Sequence, residues 1–201
     1  FMTDIEMDPN GKLWIAQTLS GYSHLITRFE SNAPDKNYYN DIQEANLISG
    51  DGAGNLWFAG SGPVLTRQKL ADGSLEFFEL FDYADEFWTS NMKLVSGAGE
   101  EMWLATAENN VLHFDGSAWS LFDAPEIPEY VYDMAVSSNG TLFISGYSSP
   151  GFEDKIVYFN PANQTWNTID FSIFGNWNSS LHDLEADEAG NLWFSTDQGL
   201  G

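Results

Sequence analysis

Carboxylates recur at one place along this sequence. Asp4, Asp133 and Asp183 each stand four residues ahead of the opening position of a glycine-bearing turn, and Leu47 and Lys93 hold the same place in two further segments. Carboxylates brought together from several segments would offer hard oxygen ligands to a divalent cation. Alternatively, they are solvated or accept hydrogen bonds from nearby backbone. His182 is adjacent to Asp183, and an imidazole beside carboxylates has the make-up of a general base. A second group is aromatic: Trp88, Trp177, Tyr22, Tyr39, Tyr130, Tyr132 and Tyr147 lie in connecting segments. Aromatic faces rimmed by Asn and Asp suit a small carbohydrate or a peptide. Their other reading is local capping of a core.

The elements that must position these groups are set by a repeat. The phrase reads GKLWI at 11–15, GNLWF at 54–58, EEMWL at 100–104, GTLFI at 140–144 and GNLWF at 190–194. Its central aromatics are Trp14, Trp57, Trp103, Phe143 and Trp193, spaced 43, 46, 40 and 50 residues apart. A period of that size marks an array of small supersecondary units. Asp8, Asp51 and Asp187 stand six residues before their tryptophans, with Gly97 and Ser137 in the other two units. Asp followed by Gly marks a tight turn, since Asp bonds the backbone just ahead and Gly adopts positive φ. These aspartates lack the alternating ligand spacing of a calcium loop. Three apolar residues in a row predict a strand covered on both faces.

Each unit therefore predicts a four-stranded antiparallel meander, stacked radially with its neighbours as a β-propeller. The expected blades are 1–43, 44–89, 90–129, 130–179 and a partial 180–201, about four and a half in one region. Such a set is expected to be part of a larger or incompletely closed propeller. Trp14, Trp57, Trp103 and Trp193 are expected in blade cores, and Trp119 and Trp166 in packing on fourth strands. Trp88 and Trp177 fall outside the register. They sit in the connections that a propeller gathers around the mouth of its channel, where loops on a rigid scaffold carry binding groups.

Composition narrows the function. Thirty acidic residues against seven basic ones give a net charge of −23. That argues against nucleic acid, whose binding relies on Lys and Arg neutralising phosphates. It also argues against anionic membrane surfaces. There is no cysteine, so neither disulfides nor thiol chemistry are expected. No apolar run approaches the ~18 residues that a spanning helix needs. The opening FMTDIEMD lacks the basic and apolar stretches of a leader, so the chain reads as a mature or excised piece.

The repeat resembles the two-component regulator propeller repeat of bacterial extracytoplasmic sensors. The residues that carry the resemblance are DEAGNLWFSTDQGL (187–200), DPNGKLWIAQ (8–17) with LITRFE (25–30), and DGAGNLWFAG (51–60) with VLTRQK (64–69). Units three and four match more loosely. The resemblance implies a periplasmic or extracellular, non-enzymatic propeller that senses a ligand, in some relatives an oligosaccharide. Streptogramin-type lyases have similar blades that end Trp-Phe-Thr-Glu and use His and Glu with magnesium. Here WFAG (57–60) and WFST (193–196) stand in that place and the Glu is missing. A metal-dependent enzyme of that kind is the alternative. A structural module that assembles with other chains through open blade edges is another.

Overall fold

The computed structural model describes residues 2–18, 24–30, 33–38, 42, 45–60, 62–81, 92–106, 109–151, 153–170 and 180–200. Every element among them is a β-strand. The first sheet holds β1 (Met2–Met7), β2 (Leu13–Thr18), β3 (His24–Glu30) and β4 (Ala33–Tyr38). The second holds β5 (Ala45–Gly50), β6 (Asn55–Gly60), β7 (Val64–Lys69) and β8 (Leu75–Glu79). The third holds β9 (Lys93–Ser96), β10 (Met102–Ala105), β11 (Asn110–Phe114) and β12 (Trp119–Asp123). The fourth holds β13 (Tyr130–Val136), β14 (Leu142–Tyr147), β15 (Asp154–Asn160) and β16 (Thr165–Thr168). The fifth holds β17 (Leu181–Ala186), β18 (Leu192–Thr196) and the short β19 (Gly199–Leu200). Each sheet is an antiparallel meander, and the first strands β1, β5, β9, β13 and β17 pack in succession. This is the β-propeller blade arrangement. The third strand of the fifth unit does begin, as β19, where the repeat alone predicts none.

One hairpin builds all five blades. Gly11, Gly54, Gly140 and Gly190 take φ between 74° and 86°, which closes the turn. The aspartate ahead of the glycine serves both the turn and the aromatic. Asp8 Oδ1 accepts the N–H groups of Asn10 and Lys12, and its Oδ2 accepts the Trp14 indole N–H at 2.9 Å. Asp51 and Asp187 treat Trp57 and Trp193 likewise, at 2.8 and 3.0 Å. The two deviant units explain each other. In the fourth, Phe143 has no N–H to satisfy and Ser137 stands where the aspartate would. In the third, Gly97 replaces the aspartate and Glu101 fills the space: a Cβ on Gly97 would come within 3 Å of three Glu101 side-chain atoms. The Trp103 indole N–H is left without a partner.

The core lies between blades. Trp14 of blade one packs on Phe58 of blade two at 5.9 Å between ring centroids. Trp57 meets Phe114 of blade three at 5.2 Å, and Trp103 meets Phe159 of blade four at 5.8 Å. Arg67, itself buried, lies over the Trp57 ring at 5.1 Å and binds Glu100 of blade three at 2.8 Å, so the same junction is also pinned by charge. His113 stacks on Trp103 at 3.8 Å and bonds Glu101, which makes it part of the blade packing. Trp119 and Trp166 pack against the cores of their own junctions.

Trp193 corrects the expectation of a fourth core tryptophan. Trp14, Trp57 and Trp103 are 0–1% exposed, and Trp193 is 45% exposed. Each tryptophan is covered by the next blade, and the described residues provide none beyond the fifth.

Candidate functional site

Four of the five first strands carry the same irregularity. Their pairing shifts between Met2 and Asp4, Ala45 and Leu47, Val131 and Asp133, and Leu181 and Asp183. The extra residues are Thr3, Asn46, Tyr132 and His182. A bulge of this kind re-aims a side chain and ends regular pairing, here at the end of each blade opposite the turns. Just after the bulge comes the recurrent position of Asp4, Leu47, Lys93, Asp133 and Asp183, which pairs with Ala16, Ala59, Ala105, Ser145 and Ser195. Small residues there leave room for the side chain opposite.

The aspartates at that position do not gather into one cation site. Among the described residues no cluster of three acidic or imidazole side chains forms. Asp4 and Asp133 instead tie one blade to the next. Asp4 Oδ2 accepts the backbone N–H of Ile48 at 2.7 Å, and Asp133 Oδ2 accepts that of Leu184 at 2.8 Å. The acceptor and donor positions are equivalent in the two cases, so this is a repeated latch. Burial pushes the Asp4 carboxyl up, against its backbone hydrogen bonds and the nearby Lys93 charge. Burial, reinforced by a hydrogen bond to Asp183, pushes the Asp133 carboxyl to about 6. That hydrogen bond joins the two side chains at the junction of blades four and five.

A cleft of about 370 Å³ opens beside this junction, lined by Lys93, Val131, Tyr132, Ser180, Leu181 and His182. Its walls are the ends of the first strands of three successive blades. Tyr132 is fixed by its hydroxyl, which donates to Asp154 Oδ1 at 3.0 Å, while Asp154 Oδ2 accepts the Leu181 N–H at 2.9 Å. Burial and the Asp154 carboxylate push the Tyr132 phenol up to about 12, so it remains a hydrogen-bond donor. Tyr147 lies against Tyr132 at 5.6 Å and stacks on Tyr130 at 4.7 Å with 10° between planes. Tyr130 is partly exposed, so the stack forms a flat apolar shelf. Gly146 permits that approach: a Cβ there would stand 2.0 Å from the Tyr130 carbonyl oxygen.

Of the residues singled out from sequence, Tyr132 and His182 meet in the cleft, and Tyr130 and Tyr147 stand next to Tyr132. Asp133 and Asp183 follow Tyr132 and His182 in the chain but do not line the cleft, while Asp4 belongs to another junction. Trp88, Trp177, Tyr22 and Tyr39 lie outside the described residues. The sequence reading missed Asp154 and Ser180. It placed Lys93 at the recurrent position without assigning it to a site. The chemistry available is hydrogen bonding from Lys93 and His182 and to the Tyr132 oxygen, beside an aromatic shelf, which suits recognition.

No family model and no curated protein matches the chain. Solved structures do. One is an extracellular domain assigned to a hybrid two component system of B. thetaiotaomicron, with a TM-score of 0.67 and 18% identity over 99% of this chain and 27% of that one. An extracellular domain assigned to a one component system of the same bacterium gives 0.66 at 13% identity, over 97% and 28%. PorZ, a bacterial surface component of the type-IX secretion system of Porphyromonas gingivalis, gives 0.70 at 15% identity, over 100% and 31%. The chain thus spans about 27–31% of the length of these solved chains. At 13–18% identity the likeness shows a shared fold, and that fold is the β-propeller of small antiparallel blades.

Proposed function

We propose that this chain is a non-enzymatic ligand-binding propeller module that works outside the cytoplasm, as a sensor of the two-component regulator propeller type. The observation that carries this reading is the cleft at the ends of three first strands, where Lys93, Tyr132 and His182 line one opening. Its aromatic and hydrogen-bonding groups suit a small carbohydrate or a short peptide. The extracellular placement of the B. thetaiotaomicron neighbours supports the location. A net charge of −23 favours neutral or cationic ligands over anionic ones.

Thermal-shift screening against neutral oligosaccharides and short peptides tests the reading. A ligand is expected to raise the melting temperature, and Tyr132→Phe and His182→Ala are expected to abolish the shift while leaving the fold intact. A ligand whose shift survives both substitutions would place the binding elsewhere. Turnover of any bound compound, lost on adding EDTA, would favour a metal-dependent enzyme instead.

A further inference from the structure

The polar groups around the cleft are unevenly used. The carboxylates at the strand ends already accept backbone or hydroxyl hydrogens. Asp4 takes the Ile5 and Ile48 amides, Asp133 takes that of Leu184, and Asp154 takes the Tyr132 hydroxyl and the Leu181 amide. Asp183 is joined to Asp133. The nitrogen donors are in the opposite condition. Among the described residues, no hydrogen bond or ion pair engages the Lys93 ammonium or the His182 ring. Lys93 reaches Asp4 only as a charge felt through space.

Lys93 also breaks the pattern of its own position. It stands where three other blades have Asp4, Asp133 and Asp183, and it is one of only seven basic residues in the chain. It pairs with Ala105, whose small side chain leaves room beside it. It is half-buried and lines the cleft together with the exposed His182. An ammonium offers three donors and no acceptor, and an imidazole N–H adds another. A cleft whose acceptors are satisfied and whose donors are open calls for a ligand that brings acceptors. A half-buried ammonium gains most from an acceptor that also carries a negative charge. At about 370 Å³ the cleft lies near the small end of ligand pockets, so it takes one small group or ring.

We infer that the ligand of this cleft carries a carboxylate, received by Lys93 and His182, while the ring or side chain next to it lies on the Tyr130–Tyr147 shelf. The inference rests on the reading of the cleft as a binding site and narrows it. The net charge of −23 acts against polyanions, because many dispersed charges add at long range. A single carboxylate meets a different balance. Dispersed charges are screened beyond about 8 Å at physiological ionic strength, whereas Lys93 would be in contact with the ligand. The ligand is therefore one acidic group on an otherwise neutral body. An acidic sugar and the free C-terminus of a short peptide both present that group.

Calorimetric titration of the whole chain with matched pairs tests the inference. Galacturonate, glucuronate and N-acetylneuraminate are each compared with their methyl esters, and the peptide Gly-Gly-Phe with its C-terminal amide. In at least one pair the acid is expected to bind about ten- to a hundredfold more tightly than the neutral form, the range for a hydrogen bond to a charged group. The sugar pairs and the peptide pair tell the two sources apart. Lys93→Met keeps most of the stem and removes the charge, and Lys93→Gln is a second neutral variant. Both should bring the acid down to the affinity of its neutral partner and leave the neutral form unchanged. Lys93→Arg should keep the preference. Equal affinity for acid and neutral form in the wild type would overturn the carboxylate and leave the cleft a binding site. So would a preference that survives in both Lys93→Met and Lys93→Gln. Binding by no member of any pair would overturn it too, and a thermal shift with a neutral oligosaccharide would then show that the cleft still binds.

Discussion

Blades two and five contain the same five residues, GNLWF at 54–58 and at 190–194, each with an aspartate six residues before the tryptophan. Locally they are alike. Asp51 and Asp187 each accept a backbone N–H, an asparagine side-chain amide and an indole N–H within the same turn. Yet every residue of β6 is buried, and Trp193 in β18 is 45% exposed. Sequence and turn are equal, so the difference comes from the neighbour. Blade three covers Trp57 with Phe114, and Arg67 bridges to Glu100, whereas among the described residues no blade lies over Trp193. The phrase specifies a hairpin, and burial is supplied by the blade that follows.

The largest expected contrast is in truncation of the two indoles. Trp57→Ala leaves a cavity in a closed junction and should cost about 3–5 kcal/mol. Trp193→Ala removes a half-exposed ring without a cavity and should cost about 1–2 kcal/mol. Denaturant unfolding of both variants measures the difference, and equal losses would break the comparison. Next come the aspartates. Asp51→Ala strands the buried Trp57 N–H and several turn amides and should cost about 3 kcal/mol. Asp187→Ala should cost much less, because water reaches the same groups.

A smaller, pH-dependent effect probes the covered side of blade five. Asp133 is raised to about 6 in the folded state, above its ordinary value near 3.8. Its contribution is therefore fully present below about pH 4 and is lost as the pH rises through 6, because the folded state holds the proton more tightly. Between pH 7 and pH 4.5 the wild type should gain up to about 2 kcal/mol relative to Asp133→Asn. Stability curves of the two proteins that run parallel over this range would show that burial does not raise the Asp133 carboxyl.

The repeat made the blades legible because its spacing and its run of three apolar residues are local properties. The bond between the aspartate and the tryptophan was legible in retrospect: the two occur together in units one, two and five, and both are replaced in unit four. Trp193 was misjudged because its exposure depends on a blade that its own sequence cannot describe. At the site, the carboxylates at the recurrent position were found but read as possible cation ligands. Their partners, the amides of Ile48 and Leu184, lie 44 and 51 residues away across a blade boundary. Tyr132 and His182 were found as mouth residues, whereas the bulges that aim them are a matter of backbone register, which side-chain patterning does not encode.

The most direct test of the central claim is hydrogen exchange of individual indole N–H groups, followed by NMR. The Trp57 and Trp193 protons are both bonded to an aspartate, so local bonding alone predicts similar protection. The account predicts that Trp57 exchanges only through opening of the junction between blades two and three, orders of magnitude more slowly than Trp193. Comparable rates for the two would contradict it.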